Sequence, residues 1–431
     1  VQPAASFVSI GGIHYMSLSR SACVLAVSLA GTAMPAAAQR LQGHVMGQAL
    51  PSVITAGAVP GGGSATEVTV LQPILMGDLA WGRALRGRMM LDFEGVTMPA
   101  GELAMGGWGE GFVDRRHPHT YLHEAMVWGS APLGGADARV AGGLAVGKGI
   151  VPFGTDDPMS RPFVRFPVNH HLAQIIERAE IATGWRIGFV GLEGAIFNGD
   201  EPERPGQWPS MGRFADSWAT RLTVWPVRGL EVQGSFASVN SPEHRAGAGL
   251  DQAKWSASAR MQRVVARTGI YGLVEWARTE EGDNAFVFAS VLAEASVLTG
   301  RHRFGYRIER TGRPEEERFF DNPFRSPRPL LDNSIVGQTR WTLHTFNYAL
   351  QFALVQGKLG VQPFVEVTVG QVSDIGAGLF QAAALYGTND VRGLTVGMRL
   401  DFGGAMGRMG RYGAVAVPDE QVMDAIDGHT H

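Results

Sequence analysis

Between Asp114 and Glu124 the chain carries His117, His119 and His123 with Glu124. Side chains at i and i+2 of an extended segment share a side, so His117, His119 and His123 are read as candidate ligands for a metal that accepts imidazole nitrogen. A second cluster pairs opposite charges. Asp156, Asp157, Arg161 and Arg165 fall within ten residues of the stretch Lys148 to His170, which four prolines stiffen. The run Gly142 to Gly149 reads GGLAVGKG, but no Ser or Thr follows the Lys and the run ends an alternating segment, so it is not read as a phosphate loop. The sequence holds no Gly-x-Ser-x-Gly elbow, no His-Glu-x-x-His and no Cys-His constellation. Neither catalytic residues nor a cofactor are expected, and the chain is read as a non-enzyme.

The elements that would position these residues alternate with period two from Thr66 to Phe402. In Ala253 to Gln262, Lys254, Ser256, Ser258, Arg260 and Gln262 take one face and Ala253, Trp255, Ala257, Ala259 and Met261 the other. The same split recurs around Arg303 to Glu309 and Leu394 to Phe402. Such strands, ten to fourteen residues long, exceed the globular mean of about 5–6 and match the roughly 9–11 tilted residues that cross a bilayer. Seven short turns alternate with eight longer connections, which predicts sixteen strands with both chain ends on the short-turn side. The fold class expected is therefore all-β, a transmembrane antiparallel β-barrel. Trp81, Trp128, Trp185 and Trp225, each near a strand end, are expected to form an interfacial girdle. The polar face supplies a lumen wall whose candidates are Arg260, Arg303, Arg307, Arg340 and Arg399, with Glu231, Glu275, Glu294, Glu309 and Glu366.

Composition agrees. With 431 residues, 45% hydrophobic, 18% charged, 58 Gly, one Cys and a net charge of −3, the chain is too apolar for disorder, too poor in Cys for a disulfide scaffold and not basic enough for nucleic acid. Met16 to Arg20, an apolar run from Ala22 to Ala30 and Ala36-Ala37-Ala38 make a cleaved export signal over 16–38, which leaves 1–15 as an over-extended start. The barrel is assigned to 39–403, and 404–431 to a periplasmic tail.

One passage sharpens the reading. Gly147-Lys148 running into Val151-Pro152-Phe153-Gly154 is similar to the strand-to-loop passage of phosphate-selective and related porins. The block Pro152 to Pro158, continuing to Asn169-His170-His171, resembles uncharacterised porin-like barrels of environmental bacteria. The chain thus resembles Gram-negative outer-membrane porins over almost all of its mature length. That resemblance implies a homotrimer in outer-membrane lipid that passes small hydrophilic solutes or ions, and a third external connection that narrows the lumen. By order along the chain this connection is Lys148 to His170, so Asp156, Asp157, Arg161 and Arg165 become the constriction candidates. The ending Leu400-Asp401-Phe402 resembles the terminal aromatic strand read by barrel-assembly machinery. Two other functions fit the pattern: a hydrolase built on a barrel rim, and a plugged structural or adhesion barrel.

Overall fold

The computed structural model describes residues 41–415 apart from 60, 83–84, 99–118, 135–138, 156, 169, 317–334, 356–357, 377–379 and 405–407. The expected signal and start, His117, Asp156 and the last part of the expected tail therefore lie outside the described residues.

The strands are β1 (Leu41–Gly57), β2 (Ser64–Trp81), β3 (Leu85–Asp92), β4 (Leu122–Leu133), β5 (Val140–Gly149), β6 (Arg178–Ile187), β7 (Val190–Phe197), β8 (Ser217–Val227) and β9 (Leu230–Val239). They continue as β10 (Gln252–Val265), β11 (Thr268–Glu281), β12 (Phe286–Thr299), β13 (His302–Glu316), β14 (Ile335–Leu350), β15 (Phe352–Leu354), β16 (Leu359–Asp374) and β17 (Asp390–Phe402). β14 and β15 are one crossing interrupted at Gln351, so among the described residues these segments make sixteen staves. Each stave pairs antiparallel with the next, and β17 returns to β1, with Gly47 opposite Phe402 and Ala56 opposite Gly393. The sheet is a closed antiparallel barrel with no unpaired edge. No helix of the described residues is long and apolar enough to cross a membrane.

Period two becomes two surfaces of opposite character. Along β10, Lys254, Ser256 and Ser258 are buried inside while Ala257, Ala259 and Met261 are exposed outside. Along β13, Arg307 and Glu309 are buried and Phe304, Tyr306 and Ile308 are exposed. Tight turns close the short-connection end. At Gly229 φ is +79° and an added Cβ would sit 2.3 Å from the Gln262 carbonyl oxygen, so only glycine fits that turn. A sheet closed in this way should resist dodecyl sulfate until heated. The purified protein is expected to give a β-type circular dichroism spectrum and to migrate faster unboiled than boiled; a helical spectrum would contradict the fold.

Several local expectations are corrected. Arg340 is not on the lumen wall. It lies opposite Gly312, in the outward series of β14, because Thr339, Trp341 and Leu343 turn inward and Trp341 packs on Tyr386. Trp81 and Trp185 are exposed on the outside as a girdle requires, whereas Trp128 is buried against Tyr412 and the indole N–H of Trp225 donates to Glu231 on the inner wall. The sequence pattern puts a short turn at Thr183 to Trp185; the turn between β6 and β7 falls instead at Gly188 and Phe189, because β6 runs on to Ile187. Finally, residues 408–415, expected in a periplasmic tail, lie back inside the barrel: Met409 packs with Met46, Met76 and Met90, and Val415 is fully buried. The cause is chemical, since this short stretch carries Arg408, Arg411, Met409 and Tyr412, which find carboxylates and apolar neighbours inside.

Candidate functional site

The connection from Ile150 to Glu177 leaves the wall at β5 and crosses the lumen. Its entry depends on Gly154, where φ is +73° and a Cβ would lie 1.7 Å from the Ala173 carbonyl oxygen. Beyond it the Thr155 hydroxyl donates to Ser258 Oγ on β10 at 2.6 Å, and the Gly154 amide donates to Ser235 Oγ on β9 at 3.0 Å. Asp157 caps the turn Pro158–Ser160, its Oδ1 accepting from the Met159 amide at 2.8 Å, and burial pushes its carboxyl up to about 6.

The two arginines of the connection face carboxylates of the opposite wall. Arg161 lies 3.3 Å from Glu275 on β11 and 3.6 Å from Glu294 on β12. Arg165 pairs with Glu309 on β13. Glu309 also accepts the Val168 amide at 2.7 Å, and Glu366 on β16 accepts the amides of Val164 and Arg165 at 3.0 and 2.9 Å. Arg307 completes the clasp from β13. It donates to the Arg165 carbonyl at 2.7 Å, pairs with Glu294 at 2.7 Å and lies 4.4 Å over the Phe163 ring. These charges are desolvated but mutually paired, the arrangement that makes removal of one partner costly.

Other wall candidates sit less deeply. Arg260, Arg303 and Arg399 are half-buried on the inner face, and Arg303 and Arg399 lie toward the short-turn end together with Asp401. Glu315, which the turn pattern puts in an outer connection, is instead a buried wall residue that accepts from the Tyr386 hydroxyl at 2.8 Å, because β13 runs on to Glu316. The returning end of the chain fills part of the remaining interior. Arg411 bonds Glu193 at 3.0 Å and Glu231 at 2.6 Å, Arg408 bonds Glu231 at 2.9 Å, and Arg221 donates to the Gly410 carbonyl at 2.7 Å. The groove that receives it exists because Gly143 carries no side chain: a Cβ there would lie 2.9 Å from the Ala414 nitrogen.

Of the histidine candidates, His119 and His123 come together at 5.1 Å between ring centroids, both buried. Asp92, which the sequence pattern does not single out, joins them from the end of β3. Glu94 accepts from or donates to His119 Nδ1 at 2.9 Å, depending on protonation. Beside them Glu177 is bonded by Lys148 at 2.9 Å and by the Thr120 amide at 2.9 Å; burial raises its carboxyl, and the Lys148 ammonium overrides that to hold it below the ordinary carboxylate value.

No family model and no curated protein matches this sequence. Among solved structures the chain is similar to the anion-selective porin from Comamonas acidovorans, at 11% identity and a TM-score of 0.48, over 84% of this chain and 100% of that one. It is similar to Salmonella typhi OmpF in complex with daunomycin, at 10% identity and a TM-score of 0.49, over 84% and 98% of the two chains. It is also similar to the outer membrane channel DcaP of Acinetobacter baumannii, at 9% identity and a TM-score of 0.47, over 84% and 97%. The barrel itself is established by its own strand pairing.

Proposed function

We propose that this protein is an outer-membrane porin, a water-filled channel for passive diffusion of small hydrophilic solutes or ions. One observation carries the reading: the barrel is apolar outside and charged inside, and its third long connection is folded across that charged interior. Val68, Met89, Val274, Val291, Phe304 and Phe346 are all more than half exposed on the outer face. In water that surface would cost about 25 cal/mol per Å², a cost that hydrocarbon removes. The half-buried Arg303, Arg399 and Asp401 at the short-turn end would be costly without solvent, which supports water there.

Asp157, Arg161 and Arg165 form the constriction in this reading, with Asp156 as their neighbour in sequence. The charges of Arg161 and Arg165 are met by Glu275, Glu294 and Glu309, and Arg303 and Arg399 with Asp401 line the short-turn end, so both signs face a passing ion. The export signal at 16–38, the start at 1–15, a barrel domain over 39–403, and a homotrimer inserted into outer-membrane lipid by barrel-assembly machinery belong to the same proposal.

Planar-bilayer recordings on the purified protein should give stepwise openings, and the reversal potential in a salt gradient reads the sign of the preferred ion. Hydrolysis of phospholipid or peptide without conductance would make the protein a barrel hydrolase. Silence in both assays would make it a plugged structural or adhesion barrel, the reading that the inserted segment 408–415 favours.

A further inference from the structure

The cluster of Asp92, His119 and His123 lies at the foot of the second long connection, beside Phe166 of the third. Each residue offers one ligand atom, and these atoms all lie within 4.8 Å of one another. Two ligands on one zinc ion are about 3.3 Å apart when each bond is near 2.0–2.1 Å. Asp92 Oδ2 is already 3.4 Å from His119 Nδ1, so a small movement of the His123 ring would complete a three-ligand set.

Polar bookkeeping points the same way. His123 is fully buried, and among the described residues neither of its ring nitrogens has a hydrogen-bond partner; the nearest carboxylate oxygen there, on Glu177, is 3.8 Å away. Asp92 Oδ2 is likewise buried without a hydrogen bond. A buried polar atom left unpaired costs about 1–3 kcal/mol, and native proteins rarely leave several together. The surroundings are built to hold these side chains still. Asp92 Oδ1 is fixed by the Glu94 amide at 2.8 Å, which leaves Oδ2 as the ligating atom. Glu94 is fixed by the Gln72 amide at 3.2 Å and touches His119 Nδ1. The Phe166 ring stands 6.1 Å from His119 and keeps that side apolar.

We propose that Asp92, His119 and His123 bind one divalent transition-metal ion of the zinc class inside the barrel. Two imidazoles and one carboxylate favour zinc, cobalt, nickel or copper over calcium or magnesium, which take oxygen donors. The bound ion would join the end of β3 to the start of β4 beneath Phe166 of the lumen-crossing connection.

The test uses the full chain folded in detergent, titrated with Co²⁺ as a spectroscopic probe. One equivalent should give a saturable visible absorption band, which equimolar Zn²⁺ removes. In His123→Gln the band should be lost while the heat-dependent gel shift shows the barrel still folded. The chain truncated after Gly403, which lacks His429 and His431, should bind as the parent does. Absence of a saturable band, a band that survives in His123→Gln, or a band lost only on truncation would each overturn the proposal.

Discussion

Truncation after Gly403 is expected to raise single-channel conductance by roughly twofold or more, because it removes the inserted segment 408–415 and leaves every stave of the wall in place. The wall ends at Phe402, whose partners on β1 and β16 remain. What departs is a short stretch held by Arg408 and Arg411 on Glu193 and Glu231, by the Arg221 contact to the Gly410 carbonyl, and by Met409 and Tyr412 among apolar neighbours. Its removal uncovers Glu193 and Glu231, so water rather than a dry void takes its place. Arg411→Gln gives a milder version that keeps chain length, and it should add flickering openings to the parent level. Unchanged conductance in a truncated protein that still shows the heat-dependent gel shift would mean that the segment lies outside the conducting path.

The second large effect is expected at the clasp of the third connection. In the double variant Glu309→Gln and Glu366→Gln, Arg165 loses its carboxylate and three backbone amides, of Val164, Arg165 and Val168, lose charged acceptors. Breaking one buried pair from a single side costs about 3–5 kcal/mol. The wall pairing is untouched, so this loss should fall on the connection rather than on the barrel. Trypsin should then cut after Arg165 in the variant and not in the parent, and channel recordings should become noisy. Equal protection in both proteins would show that apolar packing around Phe163 and Val168 holds the connection without the carboxylates.

The barrel was legible because period two survives in nearly every stave: Lys254, Ser256 and Ser258 on one side and Ala257, Ala259 and Met261 on the other leave a single assignment of faces. The pattern misleads where each face of a stave mixes polar and apolar residues. In β14, Arg340, Thr342 and His344 alternate with Trp341 and Leu343, and the aromatic and aliphatic residues go inside because Tyr386 and Phe364 wait there. Tryptophan near a strand end is equally ambiguous, since proximity to a turn says nothing of parity; Trp128 and Trp185 are both near turns and face opposite ways. At the candidate metal site the histidine spacing was visible and Asp92 was not. Asp92 reaches the histidines only because β3 and β4 are antiparallel neighbours, with Met90 opposite Glu124 and Leu91 opposite Leu122.

The returning end of the chain also imposes an order in time. Each wall pairing joins neighbours along the sequence, apart from the closing seam of β1 with β17, whereas Arg408 meets Arg88 across 320 residues and Arg411 meets Glu193 across 218. Contacts that close such long stretches form late, since their entropy must be met before any of their energy is gained. Strands β3 to β9 must therefore stand before 408–415 has a surface to dock on. The wall is expected to close first around a wider bore, which 408–415 narrows when it docks.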